Sequence, residues 1–211
     1  MLKQLIDFFR FWELKRVVRK RSFTLLDLGC GEGNFVRLAR KMGIKAVGVD
    51  QNPPPNYTQK LFIKSTIEKL HFNKKFDVVS LFHVLEHFAN PKKVLLKTKG
   101  FLKKDGILVI EVPLVDNLTA KFLGKDYFAY QDKTHRRFFS KKEIINLINE
   151  SGLKIKRKGL TFFEFPLTVL TTSFKKGLLK GLGGLIFFFP LKILSLLGIN
   201  EEIIRLYCQK K

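Results

Sequence analysis

The sequence predicts an α/β domain, a doubly wound, mostly parallel sheet with helices on both faces. Three observations carry that expectation. From Phe23 onward, short apolar runs alternate with amphipathic segments, the pattern of strands joined by helical crossovers. The first run, Phe23 to Leu28, stops at Gly29, Gly31 and Gly33 and passes at once into the amphipathic Phe35 to Met42, which reads as buried strand, tight turn and helix start. The second run, Ala46-Val47-Gly48-Val49-Asp50, ends in a carboxylate about 20 residues after those glycines.

Each part of that opening unit has a physical use. Glycines in the turn permit φ > 0 and let a ligand lie directly against the main chain. Main-chain N–H groups at the start of the following helix favour an electron-rich or negatively charged ligand group. An acid at the end of the second strand can accept hydrogen bonds from both hydroxyls of a ribose.

Length and composition bound the rest. A chain of 211 residues can bury one full core, so a single α/β domain is expected. Lys and Arg number 40 against 18 Asp and Glu, a net charge of +22 that calls for a nucleic-acid partner, an anionic membrane surface or a lysine-rich proteome. The basic residues are spread along the chain, with Lys15 to Arg21 the densest block, so solvated lysines on outer faces account for most of the charge. Cys30 and Cys208 are too few and too far apart for a disulfide framework and show no metal-ligand spacing, which agrees with a reducing, cytoplasmic compartment.

Residues 1–21 read as an amphipathic helix, with Leu2, Leu5, Phe9 and Trp12 at three- and four-residue steps. Asp7, Arg10 and Glu13 rule out the apolar core of a signal peptide. The helix either packs on the domain edge or serves as a basic, aromatic interfacial element that touches membrane or covers the cofactor. Strands are expected at 23–28, 45–49, 60–64, 76–82 and 106–112, and helices near 34–43, 90–102 and 140–151. Pro53-Pro54-Pro55 opens the crossover after the second strand as an extended loop. Phe76 to Phe82 suits a central strand buried on both faces, placing Ser80 to His83 at its carboxyl end, where open sheets bind ligands. Asp105-Gly106 supplies a tight turn into the fifth strand.

After Pro113 periodicity is lost, yet Tyr127, Phe128, Tyr130, Asp132, His135 and Arg136 are poor material for disorder, so an ordered lid is expected. Ser140 should N-cap a helix that Gly152 ends, and Leu153 to Leu160 follows as a sixth strand. The stretch 161–199 is rich in Phe, Leu and Gly, with Lys175, Lys176, Lys180 and Lys192 between. Its uncharged run Gly181 to Leu191 is shorter than the roughly 20 residues of a spanning helix and holds Pro190. It suits helices lying in a bilayer interface with lysines toward phosphates, or else a protein core or dimer contact. The tail after Asn200 alternates like a strand.

The string Leu26-Asp27-Leu28-Gly29-Cys30-Gly31-Glu32-Gly33-Asn34-Phe35 resembles motif I of the class I S-adenosylmethionine-dependent methyltransferases, and Val47-Gly48-Val49-Asp50 resembles their second motif. A dinucleotide fingerprint would place its third glycine where Asn34 stands. His83-Val84-Leu85-Glu86-His87 is similar to the fourth-strand motif of small-molecule O-methyltransferases such as those of ubiquinone biosynthesis. Those enzymes carry an acid where this chain has His83, so no metal site is carried over. Asp132 to Ser140 resembles the Asp-x-x-His-x-x-x-Phe-Ser segment of the same subgroup.

The resemblance covers about 23–160 and the tail. It implies a Rossmann-like, seven-stranded sheet whose last strand, in 200–211, is antiparallel, with 161–199 inserted before it. By the same resemblance Gly29, Cys30 and Gly31 cradle the methionine end of S-adenosylmethionine, Asp27 supports its ammonium, Asp50 grips the ribose and Gln51 borders the adenine. The acid that the family places near Thr66 or Ile67 is missing, so main-chain groups, with Ile67 in the cofactor-binding set, or else Glu68 would have to serve. Phe82, at the end of the fourth strand, completes the cofactor-binding set. The implied reaction is in-line methyl transfer, leaving S-adenosylhomocysteine. A hydroxyl acceptor calls for a base, and His135 is preferred, then His83 and His87.

The expected enzyme is cytoplasmic, peripheral on the inner face of the membrane, and acts on a small or lipid-linked acceptor. An RNA methyltransferase is the rival that the charge permits, opposed by the lack of an RNA-binding module and of an Asn/Asp-Pro-Pro-Tyr-type tetrad after strand four. A non-catalytic protein that keeps the fold and docks on membranes is the third reading.

Overall fold

The computed structural model describes residues 2–54, 58, 60–161, 190, 193, 194, 197 and 199–211. Its strands are β1 (Thr24–Leu28), β2 (Lys45–Asp50), β3 (Phe62–Lys64), β4 (Phe76–Phe82), β5 (Leu102–Pro113), β6 (Leu153–Lys158) and β7 (Ile203–Lys210). The helices are α1 (Leu2–Val18), α2 (Asn34–Lys41), α3 (Pro91–Phe101), α4 (Leu118–Leu123), α5 (Phe128–Gln131) and α6 (Lys141–Glu150). The strands form one sheet in the order β3-β2-β1-β4-β5-β7-β6, and β7 runs antiparallel to both neighbours while the paired strands before it are parallel. This is the doubly wound sheet expected, including its antiparallel last strand.

Strand residues alternate between two apolar layers, as a period of two requires. Leu26, Leu28, Val79, Leu81, Leu108 and Ile110 face α3 and α6, meeting Val94, Leu95, Ile144 and Ile148. Leu25, Val78, Ile107 and Val109 face α1 and α2, meeting Phe11, Leu14, Phe35 and Val36. Both faces of the central strands are therefore dry, and every strand carboxyl end but that of β7 opens toward the same edge.

The local signals act as their chemistry dictates. Asn90 caps α3 by accepting from Lys93 N at 3.1 Å, with Pro91 in the first turn. Ser140 and Glu143 form a reciprocal capping box on α6, and Gly152 follows it at φ +69°. The expected turn at Asp105-Gly106 is instead an irregularity within β5: register passes from Phe76↔Leu102 to Val78↔Ile107, so β5 holds extra residues there. At the opposite end of the sheet from the glycine turn, Asp77 accepts from Thr24 N and Oγ1, Lys20 and Lys103 at 2.8–2.9 Å, clamping β1 to β4.

α1 forms as expected and packs on α2. Asp7, Phe11, Glu13 and Leu14 are buried, whereas Leu5 and Trp12 of the expected stripe face outward together with Phe8, and Phe9 is half-buried. A small part of the positive charge has a local use: ammonium groups of Lys75, Lys97, Lys99, Lys210 and Lys211 donate to main-chain carbonyls, several at helix ends. Most of the apolar stretch expected over 161–199 lies outside the described residues. No described helix is long and apolar enough to cross a membrane.

Candidate functional site

The turn after β1 is built on left-handed backbone: Gly29, Gly31 and Gly33 have φ of +70°, +49° and +72°. A Cβ on Gly29 would lie 2.6 Å from Val84 Cγ2, so a side chain there collides with the end of β4. The turn is tied to β2 by main-chain bonds from Gly29 N and Cys30 N to Val49 O, at 2.7 and 3.1 Å. Gly33 N donates to Cys30 O at 2.8 Å. The N–H groups of Gly29, Cys30 and Gly33 thus hold the turn itself.

Asp50 closes the unit. Its Oδ2 accepts from Gly31 N at 2.9 Å and its Oδ1 from Asn52 N at 2.8 Å. Each oxygen keeps a further lone pair, and the half-buried carboxylate borders a cavity of about 830 Å³. The wall runs from Gly29, Val49, Asp50 and Gln51 through Thr66, Ile67 and Glu68 to His83, Val84, His87 and Arg136. This is the crevice at the carboxyl ends of parallel strands where open α/β sheets take ligands.

Asp27 lies beneath the turn, buried, and accepts from Ser80 Oγ at 2.7 Å, its register partner on β4. Burial pushes its carboxyl up to about 7, against the opposing hydrogen bond from Ser80. Cys30 packs against Gly48, and burial raises its thiol above the ordinary range. Phe82 stacks edge-on with Phe35 at 4.9 Å and under the Arg10 guanidinium at 4.6 Å, on the α1 side of the sheet. Of the residues expected at the cofactor, Gly29, Asp50, Gln51 and Ile67 line the cavity; Asp27, Cys30, Gly31 and Phe82 stand behind or beside its wall.

His83 differs from the expected role of neutral base. It holds a left-handed φ of +54°, its Nε2 is 3.2 Å from Glu111 Oε1, and its Nδ1 is 3.3 Å from Glu86 Oε1. Although burial pulls the other way, the two carboxylates raise its pKa to about 9, so the ring is a cation at neutral pH with no proton acceptor to offer. Glu111 is the hub of this arrangement: Arg10, Arg205 and His83 all converge on its buried carboxylate, holding its pKa well below the usual range. Arg205 Nη1 also meets Glu13 Oε2 at 3.0 Å, and Tyr207 Oη donates to the same oxygen at 3.0 Å. One chain of charges thus runs from the buried side of α1 to the cavity wall.

Sequence reasoning missed Glu111 and Arg205. A signal was present: each is the lone charge in an apolar run, Ile107 to Pro113 and Ile203 to Cys208, the two are of opposite sign, and β5–β7 register pairs them directly.

The lid supplies the other histidines. Its short helices α4 and α5 lead into an extended segment held to the end of β4 by Arg136 N and Arg137 N donating to Glu86 O, at 2.8 and 3.0 Å. His135 Nδ1 lies 2.7 Å from Ala129 O; a carbonyl only accepts, so Nδ1 carries the hydrogen and Nε2 keeps its lone pair in the neutral ring. The same reasoning holds for His87. Thr134 Oγ1 gives its single hydrogen to Asp132 at 2.5 Å, so His87 Nδ1, 2.9 Å away, is the donor to Thr134. The two rings stand edge to face at 4.9 Å, His87 in the cavity wall and His135 behind it. One ligating atom each from Glu86, His87 and His135 lies within 4.8 Å of the others, a set able to hold a divalent ion or to pass protons.

The fold has known counterparts. A family model described as a methyltransferase domain matches residues 2–158. The uncharacterized protein MJ1123 of Methanocaldococcus jannaschii is 32% identical over 165 residues, 74% of this chain and 77% of that one. A ubiquinone biosynthesis O-methyltransferase of Rickettsia canadensis is 24% identical over 156 residues, 65% of this chain and 66% of the relative. Its counterpart in Haemophilus ducreyi is 28% identical over 170 residues, 68% and 70% of the two chains. The chain therefore spans about two thirds of the length of these curated relatives. Among solved structures, the 1,6-didemethyltoxoflavin-N1-methyltransferase of Burkholderia thailandensis, with S-adenosylhomocysteine bound, shares the fold at a TM-score of 0.62 and 14% identity, covering 94% of this chain and 76% of that one.

Proposed function

Because the chain belongs to the methyltransferase domain family, we propose that it transfers a methyl group from S-adenosylmethionine to a hydroxyl of a small or lipid-linked acceptor. The observation that carries this reading is Asp50: a carboxylate fixed by two main-chain donors at the end of β2, with lone pairs left over at the rim of the cavity. The residues fit the cofactor. The cavity volume of about 830 Å³ falls within the range of small-molecule sites, roughly 300–1,000 Å³. Asp50 is suited to the ribose, Gln51 and the Thr66–Glu68 main chain to the adenine, and the glycine turn with Asp27 to the methionine end.

When bound, S-adenosylmethionine supplies an electrophilic methyl whose bonding pair leaves with sulfur, so the protein's task is alignment and proton removal. Alignment alone is worth about 7–11 kcal/mol in well-oriented systems. His135 Nε2, or His87 Nε2 in the cavity wall, takes the proton of the acceptor hydroxyl. The Nδ1 hydrogen bonds to Ala129 and Thr134 hold both rings in the tautomer that this requires. His83 stays charged and positions Glu111 and Glu86 rather than acting as base. Cytoplasmic action at a membrane surface is part of the same proposal, supported by the net charge of +22 and by the apolar residues between Thr161 and Ile199.

The test is mass spectrometry of the acid-denatured, freshly purified chain, followed by incubation with labelled S-adenosylmethionine and extracted host lipids. Retained nucleoside and label in a lipid-soluble product support the reading; label confined to RNA would replace it with the nucleic-acid alternative.

A further inference from the structure

α1 buries its acids and leaves part of its apolar surface outward. Its only acids, Asp7 and Glu13, are buried, Asp7 paired with Arg10 at 3.2 Å and Glu13 with Arg205 at 3.0 Å. Apart from Gln4, what remains on the outer side is apolar or basic. Leu5, Phe8 and Trp12 are 45–48% exposed, and they follow one another at helical spacing along a single line. One turn further the same line carries Arg16, its guanidinium 4.5 Å above the Trp12 ring, and Arg19 follows just past the helix end, both exposed. From Leu5 to Arg16 the strip is about 16 Å long, at roughly 1.5 Å per residue.

An ordinary surface helix turns its apolar stripe to the core and its charges to water. Here Phe11 and Leu14 seat the helix together with buried ion pairs, and a second apolar strip is left outward with cations at one end and no acid on it. Buried ion pairs stabilise less than well-packed apolar residues of the same volume, so this arrangement favours an external contact over stability. A contact of apolar centre and purely basic flank is complementary to a surface with phosphates above hydrocarbon.

We infer that the outer face of α1 docks on an anionic lipid bilayer, Leu5, Phe8 and Trp12 entering the interface while Arg16 and Arg19 meet head-group phosphates. This builds on the membrane-surface part of the proposed function and names the element that makes the contact. It also places the docked helix two ion pairs from the cavity wall, because Arg10 on its inner side meets Glu111, which in turn holds His83.

Trp12 is the sole tryptophan, so intrinsic fluorescence reports on this helix alone. The full chain, without cofactor or acceptor, is titrated with vesicles of phosphatidylcholine containing phosphatidylglycerol, and with phosphatidylcholine alone. Docking predicts a blue shift and quenching by lipids brominated on the acyl chain, strong with the anionic vesicles and weakened by salt. Arg16→Gln and Arg19→Gln should each weaken partition about fivefold, and Phe8→Glu should abolish the shift while far-ultraviolet circular dichroism stays unchanged. Equal shifts on neutral vesicles would overturn the role of the arginines. Sedimentation with vesicles but no Trp12 response would place the contact elsewhere on the chain, and no sedimentation at all would overturn docking outright. A Trp12 response only to added protein from the host membrane fraction would replace the bilayer with a protein partner. Since no cofactor is present, none of these results depends on methyl transfer.

Discussion

Replacing Glu111 by glutamine removes one charge from the most heavily loaded position in the molecule. The carboxylate is fully buried, and Arg10, Arg205 and His83 all aim at it. Glutamine keeps the shape but leaves three cations facing a neutral amide that can accept at only one oxygen. Breaking a buried pair from one side costs about 3–5 kcal/mol. For a chain of this size about 1 kcal/mol moves the midpoint by roughly 2–4 °C, so thermal unfolding should fall by about 6–20 °C. The pH dependence gives a second readout. His83 has its folded pKa raised from an ordinary 6.5 to about 9, so its stabilisation is fully present below 6.5 and is lost as pH rises through 9. In Glu111→Gln that alkaline loss should flatten. Calorimetric melts of both forms between pH 6 and 10 are the assay. A midpoint within about 2 °C of wild type, with the alkaline slope intact, would refute the claim that Glu111 holds this cluster together.

Three further outcomes follow from the site. His135→Ala should lower methyl transfer by about 10²–10⁴-fold while S-adenosylmethionine affinity stays within about twofold, as removal of a general base does; unchanged turnover removes it from the chemistry. Asp27, pushed up to about 7, is partly protonated at neutral pH, and a cationic ligand favours its ionised form. Cofactor affinity should therefore tighten as pH rises through 7, and Asp27→Asn should erase that slope. Treatment with EDTA should leave turnover unchanged if His87 and His135 act as bare rings; activity lost to EDTA and restored by Mn²⁺ would instead place an ion at Glu86, His87 and His135.

Local features of the chain were legible because their causes are local. Three glycines that need positive φ, an acid at a strand end, Ser140 with Glu143, and Gly152 after a helix each act within a few residues, and each stands where the sequence puts it. The charge chain was not legible because it is assembled across the fold: Arg10 to Glu111 spans 101 positions and Glu13 to Arg205 spans 192. His83 misled for the same reason. Its type suggests a base near neutrality, and only the approach of Glu86 and Glu111 turns it into a fixed cation. Which side of α1 faces the core was left open, because periodicity locates an apolar stripe but not the side that packs; Asp7, Phe11, Glu13 and Leu14 are the residues turned inward.

Whether S-adenosylmethionine occupies the crevice between β1 and β2 is settled most directly by titrating S-adenosylhomocysteine into the wild-type chain and into Asp50→Ala by calorimetry. One hydrogen bond to a charged group is worth about 1.5–3 kcal/mol, so the variant should bind roughly 10- to 150-fold more weakly. Saturable one-to-one binding to the wild type with that loss in the variant is the predicted result; no heat with either protein, or equal affinity for both, contradicts it.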